Sequence, residues 1–252
     1  MHPLHKCLLF HLLMYLGRSA DGSEIINGKL APENSMLYMA SLQNSNGHHL
    51  CGGFLIREDF VLTAAHCDPG ITHVVLGTHD LKSVNDDNKI SIKDKYKHES
   101  YKNEGNGNDI MLLKLSKKVS LNGRVQTIPL PTSGIVMNKQ DDCQVAGWGY
   151  IESGGRAVDD LRVVDVSIIN LEVCKEQWPF DLPANVICAG GYGTDKGFCQ
   201  GDSGGPLVCN GKAVGVVSFN NNFICNYPDK PNVYTDVSKY LTWIDDVLKL
   251  DE

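Results

Sequence analysis

The sequence contains no C-x-x-C pair, no N-x-Ser/Thr acceptor, no low-complexity tract, no linker-like run and no internal repeat. Without cysteines paired at finger spacing, a structural zinc site is not indicated. Without the acceptor triplet, N-glycosylation is not expected. Basic residues are not in excess: 23 Lys and Arg stand against 30 Asp and Glu, a net charge of −7. Such a chain is poorly matched to nucleic acid or to an anionic membrane surface. Lys89 to Lys97 and Lys114 to Lys118 are locally basic, and read as solvated faces.

Past the amino terminus no apolar stretch is long enough to span a bilayer. The beginning is different. His2, His5 and Lys6 precede the run Cys7-Leu8-Leu9-Phe10-His11-Leu12-Leu13-Met14-Tyr15-Leu16, and small residues follow at Ala20 and Gly22. That is the pattern of a signal peptide over 1–22, cleaved before Ser23, and it places the mature chain in the secretory route. Cys7 leaves with this leader, so of nine cysteines an even number remains in an exported chain, the arithmetic of a disulfide framework.

The body of the chain reads as β. Short β-branched and apolar runs alternate with turn signals at Asn46-Gly47, Asn106-Gly107, Asn122-Gly123 and Asn210-Gly211. The exception is the end, where Tyr240, Leu241, Ile244, Val247 and Leu248, flanked by Trp243, recur at the spacing of an amphipathic helix.

Chemistry concentrates in Cys199-Gln200-Gly201-Asp202-Ser203-Gly204-Gly205-Pro206. A serine between glycines sits where the backbone takes conformations a Cβ would forbid, which is how a nucleophile is exposed. A serine hydroxyl is weak alone and needs a base, an orienter for that base and N–H donors for the developing oxyanion. The chain offers Ala64-Ala65-His66-Cys67 and Asn108-Asp109-Ile110, giving the order His, Asp, Ser. With Val145-Ala146-Gly147-Trp148-Gly149 and Ile187-Cys188-Ala189-Gly190, these motifs resemble the chymotrypsin-like (trypsin-fold) serine endopeptidases from Ile25 to the end of the chain. Within them the sequence looks most like the granzymes, mast-cell proteases and neutrophil elastase.

The resemblance implies an all-β fold of two six-stranded antiparallel barrels with the active site between them and a C-terminal helix, all within one peptidase domain over 25–252. It implies Cys51–Cys67, Cys143–Cys209, Cys174–Cys188 and Cys199–Cys225 as disulfides. His66 is then the general base, Asp109 its orienter, Ser203 the nucleophile, and the N–H groups of Gly201 and Ser203 the oxyanion hole. Ser23-Glu24 becomes an activation dipeptide of the kind a dipeptidyl peptidase removes, after which the Ile25 ammonium pairs with Asp202. Asn27 replaces the glycine commonest there, and asparagine tolerates left-handed backbone.

For the pocket that selects the residue before the scissile bond, the resemblance points to Gly197 at the floor, Phe198 and Gln200 beside it, Ser218, Phe219 and Asn220 at the entrance, and Asn232 at the back. No acid stands at the floor, so a buried Lys or Arg would lack a partner. Small to medium apolar residues are expected instead. Asp195, two residues before Gly197, keeps a tryptic reading open. His48, His49, His73, His79 and His98 read as loop or surface residues, and Thr78 stands where trypsin-like members place the first calcium ligand, so no metal or cofactor is expected. Partners are protein or peptide substrates and serpin-type inhibitors, with the enzyme a monomer. The net acidity runs against storage with acidic proteoglycans. Two alternatives remain: a digestive or complement-type protease of the same fold, and a catalytically silent binding protein. The intact triad speaks against the second.

Overall fold

The computed structural model describes residues 25–139, 141–221, 224–225 and 229–250. The leader and the dipeptide Ser23-Glu24 lie outside the described residues. The chain builds two antiparallel β units side by side. The first is a closed barrel of six strands in the order β2 (Met39–Gln43), β3 (His49–Arg57), β4 (Phe60–Thr63), β7 (Met111–Leu115), β6 (Lys89–Lys97) and β5 (His73–Val75). β2 closes it by pairing with both β3 and β5. The second is a curled sheet of eight strands: β1 (Lys29–Leu30), β9 (Arg162–Val166), β8 (Cys143–Gly147), β12 (Pro206–Cys209), β13 (Lys212–Phe219), β14 (Val233–Asp236), β11 (Val186–Ala189) and β10 (Ile168–Ile169). The ladder curls as a half-barrel, and its two outer members, β1 and β10, have two residues each.

Local chemistry explains the connections. β12 and β13 join through Asn210-Gly211, both at positive φ (+51° and +74°), as a two-residue hairpin turn matching strand twist requires. Asn46-Gly47 likewise turns the chain from β2 to β3. The other two Asn-Gly pairs are not hairpins. Asn122 Oδ1 accepts from the N–H groups of Arg124 and Val125 in a loop, and Asn106-Gly107 ends a 3-10 turn.

Five all-buried residues in β7 and four in β4 form continuous buried runs, apolar but for Lys114 and Thr63, because one face fills the barrel and the other is covered. The cluster they build takes in Phe54, Leu55, Phe60 and Leu62, and reaches Val216 of the second sheet and Ile244 and Val247 of the terminal helix. A second cluster, with Val145, Leu207, Val214 and Tyr234, also holds Ile25, which has no solvent exposure.

Helix α2 (Leu241–Lys249) lies where the periodicity puts it, packed on the first barrel. Helix α1 (Leu171–Gln177) falls in the stretch read as β. Asn170 caps it by accepting from Glu172 N–H, and only Cys174 among its residues is buried, tied to Cys188. With Leu171 and Val173 outward, no apolar stripe marked it. Lys114 is also not on a solvated face: it is 8% exposed, and its Nζ donates to Asp59 Oδ2 at 2.9 Å beside the Phe60 ring. Asp59 accepts as well from Arg57 Nε at 2.8 Å.

Burial alone would raise the Asp59 carboxyl. The hydrogen bonds and charges of Lys114 and Arg57 outweigh it and hold the group below its ordinary 3.8. Its stabilising contribution is therefore present in full above 3.8 and lost as pH falls below that value through the depressed native one. Asp59→Ala, which removes the buried carboxylate that Lys114 and Arg57 both donate to, should cost about 3 to 5 kcal/mol in urea unfolding, with the Asp59→Asn, Lys114→Met pair recovering most of the loss. A cost below about 1 kcal/mol for the single change would show that the pair does not hold the barrel.

Candidate active site at the seam of the two units

The serine loop is held by its glycines. Gly201 (φ +94°) and Gly204 (φ +79°) flank Ser203 in conformations L-residues avoid, and a Cβ on Gly204 would lie 2.1 Å from Thr63 Oγ1. The loop is strapped across the seam by Gly52 N–H donating to the Ser203 carbonyl at 2.8 Å, while Thr63 Oγ1 donates to the Gly52 carbonyl. Ser203 O lies 3.6 Å from Cys67 Sγ, so the residue after His66 touches the serine loop.

Asp202 has no solvent exposure. Its Oδ1 accepts from Gly149 N–H and its Oδ2 from Cys199 N–H, each at 2.8 Å. Burial pushes its carboxyl up to about 7, against the two hydrogen bonds that lower it. That displacement from 3.8 is on the order of 4 kcal/mol unfavourable to the carboxylate. The same carboxylate explains Val145-Ala146-Gly147-Trp148-Gly149: a Cβ on Gly147 would lie 2.1 Å from Asp202 Oδ1, and one on Gly149 would lie 2.5 Å from its Cγ.

His66 and Asp109 lie at the same end of the β4–β7 ladder, just after β4 and just before β7, where Thr63 pairs with Met111. Asp109 Oδ1 accepts from His66 N–H at 3.0 Å, and Oδ2 faces His66 Nδ1 at 2.8 Å. A third bond comes from Ser218 Oγ to Oδ2 at 2.6 Å, and Thr235 Oγ1 donates to the Asp109 carbonyl. Burial would raise the Asp109 carboxyl, yet His66 and Ser218 hold it below the usual carboxylate value. For His66, burial disfavours the charged ring, but the Asp109 hydrogen bond and charge, with Glu104 Oε1 4.0 Å from Nδ1, raise it above the ordinary histidine value. This arrangement aims an acidic orienter at one imidazole nitrogen and leaves the other to take a proton.

Ser218, which the resemblance places at the pocket entrance, donates its hydroxyl to Asp109. His49, read from the sequence as a loop residue, is corrected: its Nε2 lies 2.8 Å from the Gly201 carbonyl and its Nδ1 2.8 Å from Ser41 Oγ, so it braces the serine loop from the first barrel. Burial lowers its pKa to about 4, which keeps the ring neutral, despite the opposing hydrogen bond to Gly201. No local motif announces this contact, which joins residues 152 apart in the chain. His98 packs between Tyr240 and Trp243, at 5.4 and 5.3 Å. Thr78 Oγ1 donates to the Asp80 carbonyl within its own turn.

Of the pocket residues, Gly197 and Phe198 are buried, Phe198 edge-on to Tyr234 at 5.2 Å. Asn232 Oδ1 accepts from Phe198 N–H at 3.3 Å. Gln200 is half-buried against the Cys199–Cys225 disulfide, and Asn220 Nδ2 lies 3.4 Å from Cys225 Sγ. Phe219 packs in an aromatic cluster with Trp178 and Phe180 that no sequence pattern marked. Asp195 is exposed, its carbonyl accepting from Asn27 Nδ2 at 2.7 Å; Asn27 takes φ +59°. The disulfides are Cys51–Cys67, Cys143–Cys209, Cys174–Cys188 and Cys199–Cys225, the four pairs implied above. Donor atoms of Cys51, Cys67 and His66 lie within 4.8 Å of one another, but both sulfurs are in a disulfide, which leaves one ligand and no metal centre there.

The sequence model of the trypsin family matches residues 25–244. The chain belongs to the trypsin family. It is 39% identical over 245 residues to duodenase-1 of Bos taurus, covering 96% of each chain. It is 41% identical over 228 residues to trypsin-3 of Salmo salar, covering 89% of this chain and 92% of the relative. Mast cell protease 3 of Ovis aries is 39% identical over 241 residues, covering 94% of both. As a member of this family the protein is a serine endopeptidase, a hydrolase acting on protein substrates.

In this trypsin-family site, Glu104→Gln should move the titration of His66 to lower pH, since a negative charge that favours the imidazolium is removed. The ring resonances followed by NMR against pH report this directly. An unmoved or upward titration would show that Glu104 does not act on the ring.

Proposed function

We propose that the mature enzyme cleaves peptide bonds through an acyl-enzyme, with Ser203 as nucleophile, His66 as general base and then acid, and Asp109 fixing the imidazole tautomer and stabilising the imidazolium. The observation that carries this reading is the set of three hydrogen bonds on Asp109, which commits the His66 Nδ1 side to the carboxylate. The N–H groups of Gly201 and Ser203 hold the oxyanion, on a loop kept open by positive φ at Gly201. Ser203→Ala should lower kcat/KM by about a million-fold on a peptide substrate. Ordinary turnover by that variant would overturn the assignment.

The reading extends to activation. Residues 1–22 are a signal peptide, and Ser23-Glu24 is a dipeptide whose removal frees the Ile25 ammonium for Asp202. Two observations support it: Asp202 is a buried carboxylate with no cation beside it among the described residues, and Ile25 is buried in the same half of the molecule, at φ +35°, an outlier for a β-branched residue. Before processing, a group raised from 3.8 to about 7 contributes stability that is full below 3.8 and lost as pH rises through 7. The thermal midpoint of the uncleaved chain should therefore fall between pH 4 and 7, and Asp202→Asn should flatten that fall. N-terminal sequencing with active-site titration tests the rest: the active enzyme starts at Ile25, and activity from a chain still carrying Glu24 would refute the switch.

The pocket reading is non-tryptic, with small to medium apolar residues before the scissile bond and a granule-protease subgroup, secreted or stored in vesicles. Gly197 brings no carboxylate to the floor, and Asp195 is exposed with its carbonyl engaged by Asn27. Several relatives carry the name trypsin, so the deciding measurement is a peptide library varied at that residue. Faster cleavage after Arg than after Val, Leu or Phe would replace this specificity with a tryptic one.

A further inference from the structure

A cavity of about 1190 Å³ opens on the second unit, lined by none of the residues assigned above to chemistry or pocket. Its walls come from the loop before β8, from the β9–β10 segment, from the start of α1, from β11 and from the loop after β11. Ten large hydrophobic side chains are exposed among the described residues, and four of them, Val136, Leu171, Val173 and Tyr192, line this one groove. Val136 is 83% exposed. Single exposed hydrophobics are ordinary, but their convergence on a concave surface marks an interaction site.

The groove is also acidic. Asp141, Asp142, Asp165 and Asp236 line it, and none takes part in an ion pair among the described residues. Three are held by neutral donors instead: Asp141 by Asn138 N–H and Asn210 Nδ2, Asp165 by Gln144 Nε2, and Asp236 by Ser238. The carboxylates are thus fixed while their charges stay uncompensated. Two cations, Lys139 and Lys196, are in the lining, and neither forms an ion pair with them. A net negative rim over an apolar floor repels anionic lipid and nucleic acid, and favours a chain that alternates cations with large apolar side chains.

We propose that this groove is an exosite that docks an extended segment of the protein substrate carrying Lys or Arg beside Leu, Phe or Tyr, at a distance from the bond that is cut. Its consequence is a second layer of selection. The pocket reads one residue, whereas the groove raises the affinity of whole proteins that carry the matching segment.

The test uses the mature enzyme with its active serine covalently blocked, so that the probe is not consumed. A fluorescein-labelled peptide of alternating Lys and Leu is the ligand, followed by anisotropy. Two double variants divide the groove: Asp142→Lys with Asp165→Lys for the rim, and Val136→Ser with Tyr192→Ser for the apolar wall. Each should weaken the peptide at least about ten-fold and lower kcat/KM for a protein substrate carrying such a segment, while kcat/KM for a short peptide spanning only the scissile bond stays unchanged. That unchanged value also shows that the variants fold and that the catalytic site is intact. Equal binding by wild type and both variants would overturn the proposal. So would loss with the rim variant alone, which means nonspecific charge attraction. A dimer in sedimentation that the wall variant dissolves would assign the groove to a second copy of this chain and overturn it as well.

Discussion

A carboxylate kept entirely out of water, Asp202, is the constraint on which the second unit depends. Its two oxygens are satisfied by backbone N–H groups, and its bulk requires glycine at 147 and 149. Because Asp202 immediately precedes Ser203, whatever settles that charge also settles the serine loop. A buried carboxyl raised to about 7 is an unfavourable group until it meets a cation. Ile25, buried in the cluster of the same unit, is the residue whose amino group the proposed cleavage would free for that role.

The first unit contributes a different kind of rigidity. β4 and β7 are paired and buried on both faces, so the ends of these strands move little relative to each other. His66 and Asp109 sit just beyond those ends. The short hydrogen bonds between them follow from a closed barrel, in which no strand has a free edge along which to slip. Ser218 and Thr235 then reach Asp109 from the second sheet, and His49 reaches Gly201 from the first. The seam is thus cross-linked by side chains in both directions, which is what a site shared between two units needs in order to stay assembled.

Recognition on this frame is proposed at two places. At the positions proposed for the pocket, Gly197 and Phe198 are buried, and an apolar pocket discriminates single side chains only weakly, because a methylene is worth about 1 to 3 kcal/mol. The acidic groove on the second unit shares no lining residue with those positions. An acidic surface of this kind accords with the net charge of −7.

The sequence by itself determined the family motifs, the hairpin at Asn210-Gly211, the terminal helix and an even set of cysteines, since each is a local pattern of residue types. It left α1 invisible, because a seven-residue helix anchored by a disulfide needs no apolar stripe. Only the tertiary structure decided that Lys114 is buried on Asp59, that the Ser218 hydroxyl donates to Asp109, and that His49 contacts Gly201. These contacts join residues 55, 109 and 152 positions apart. Their partners are chosen by strand order and barrel closure, and no run of neighbouring residues carries that information.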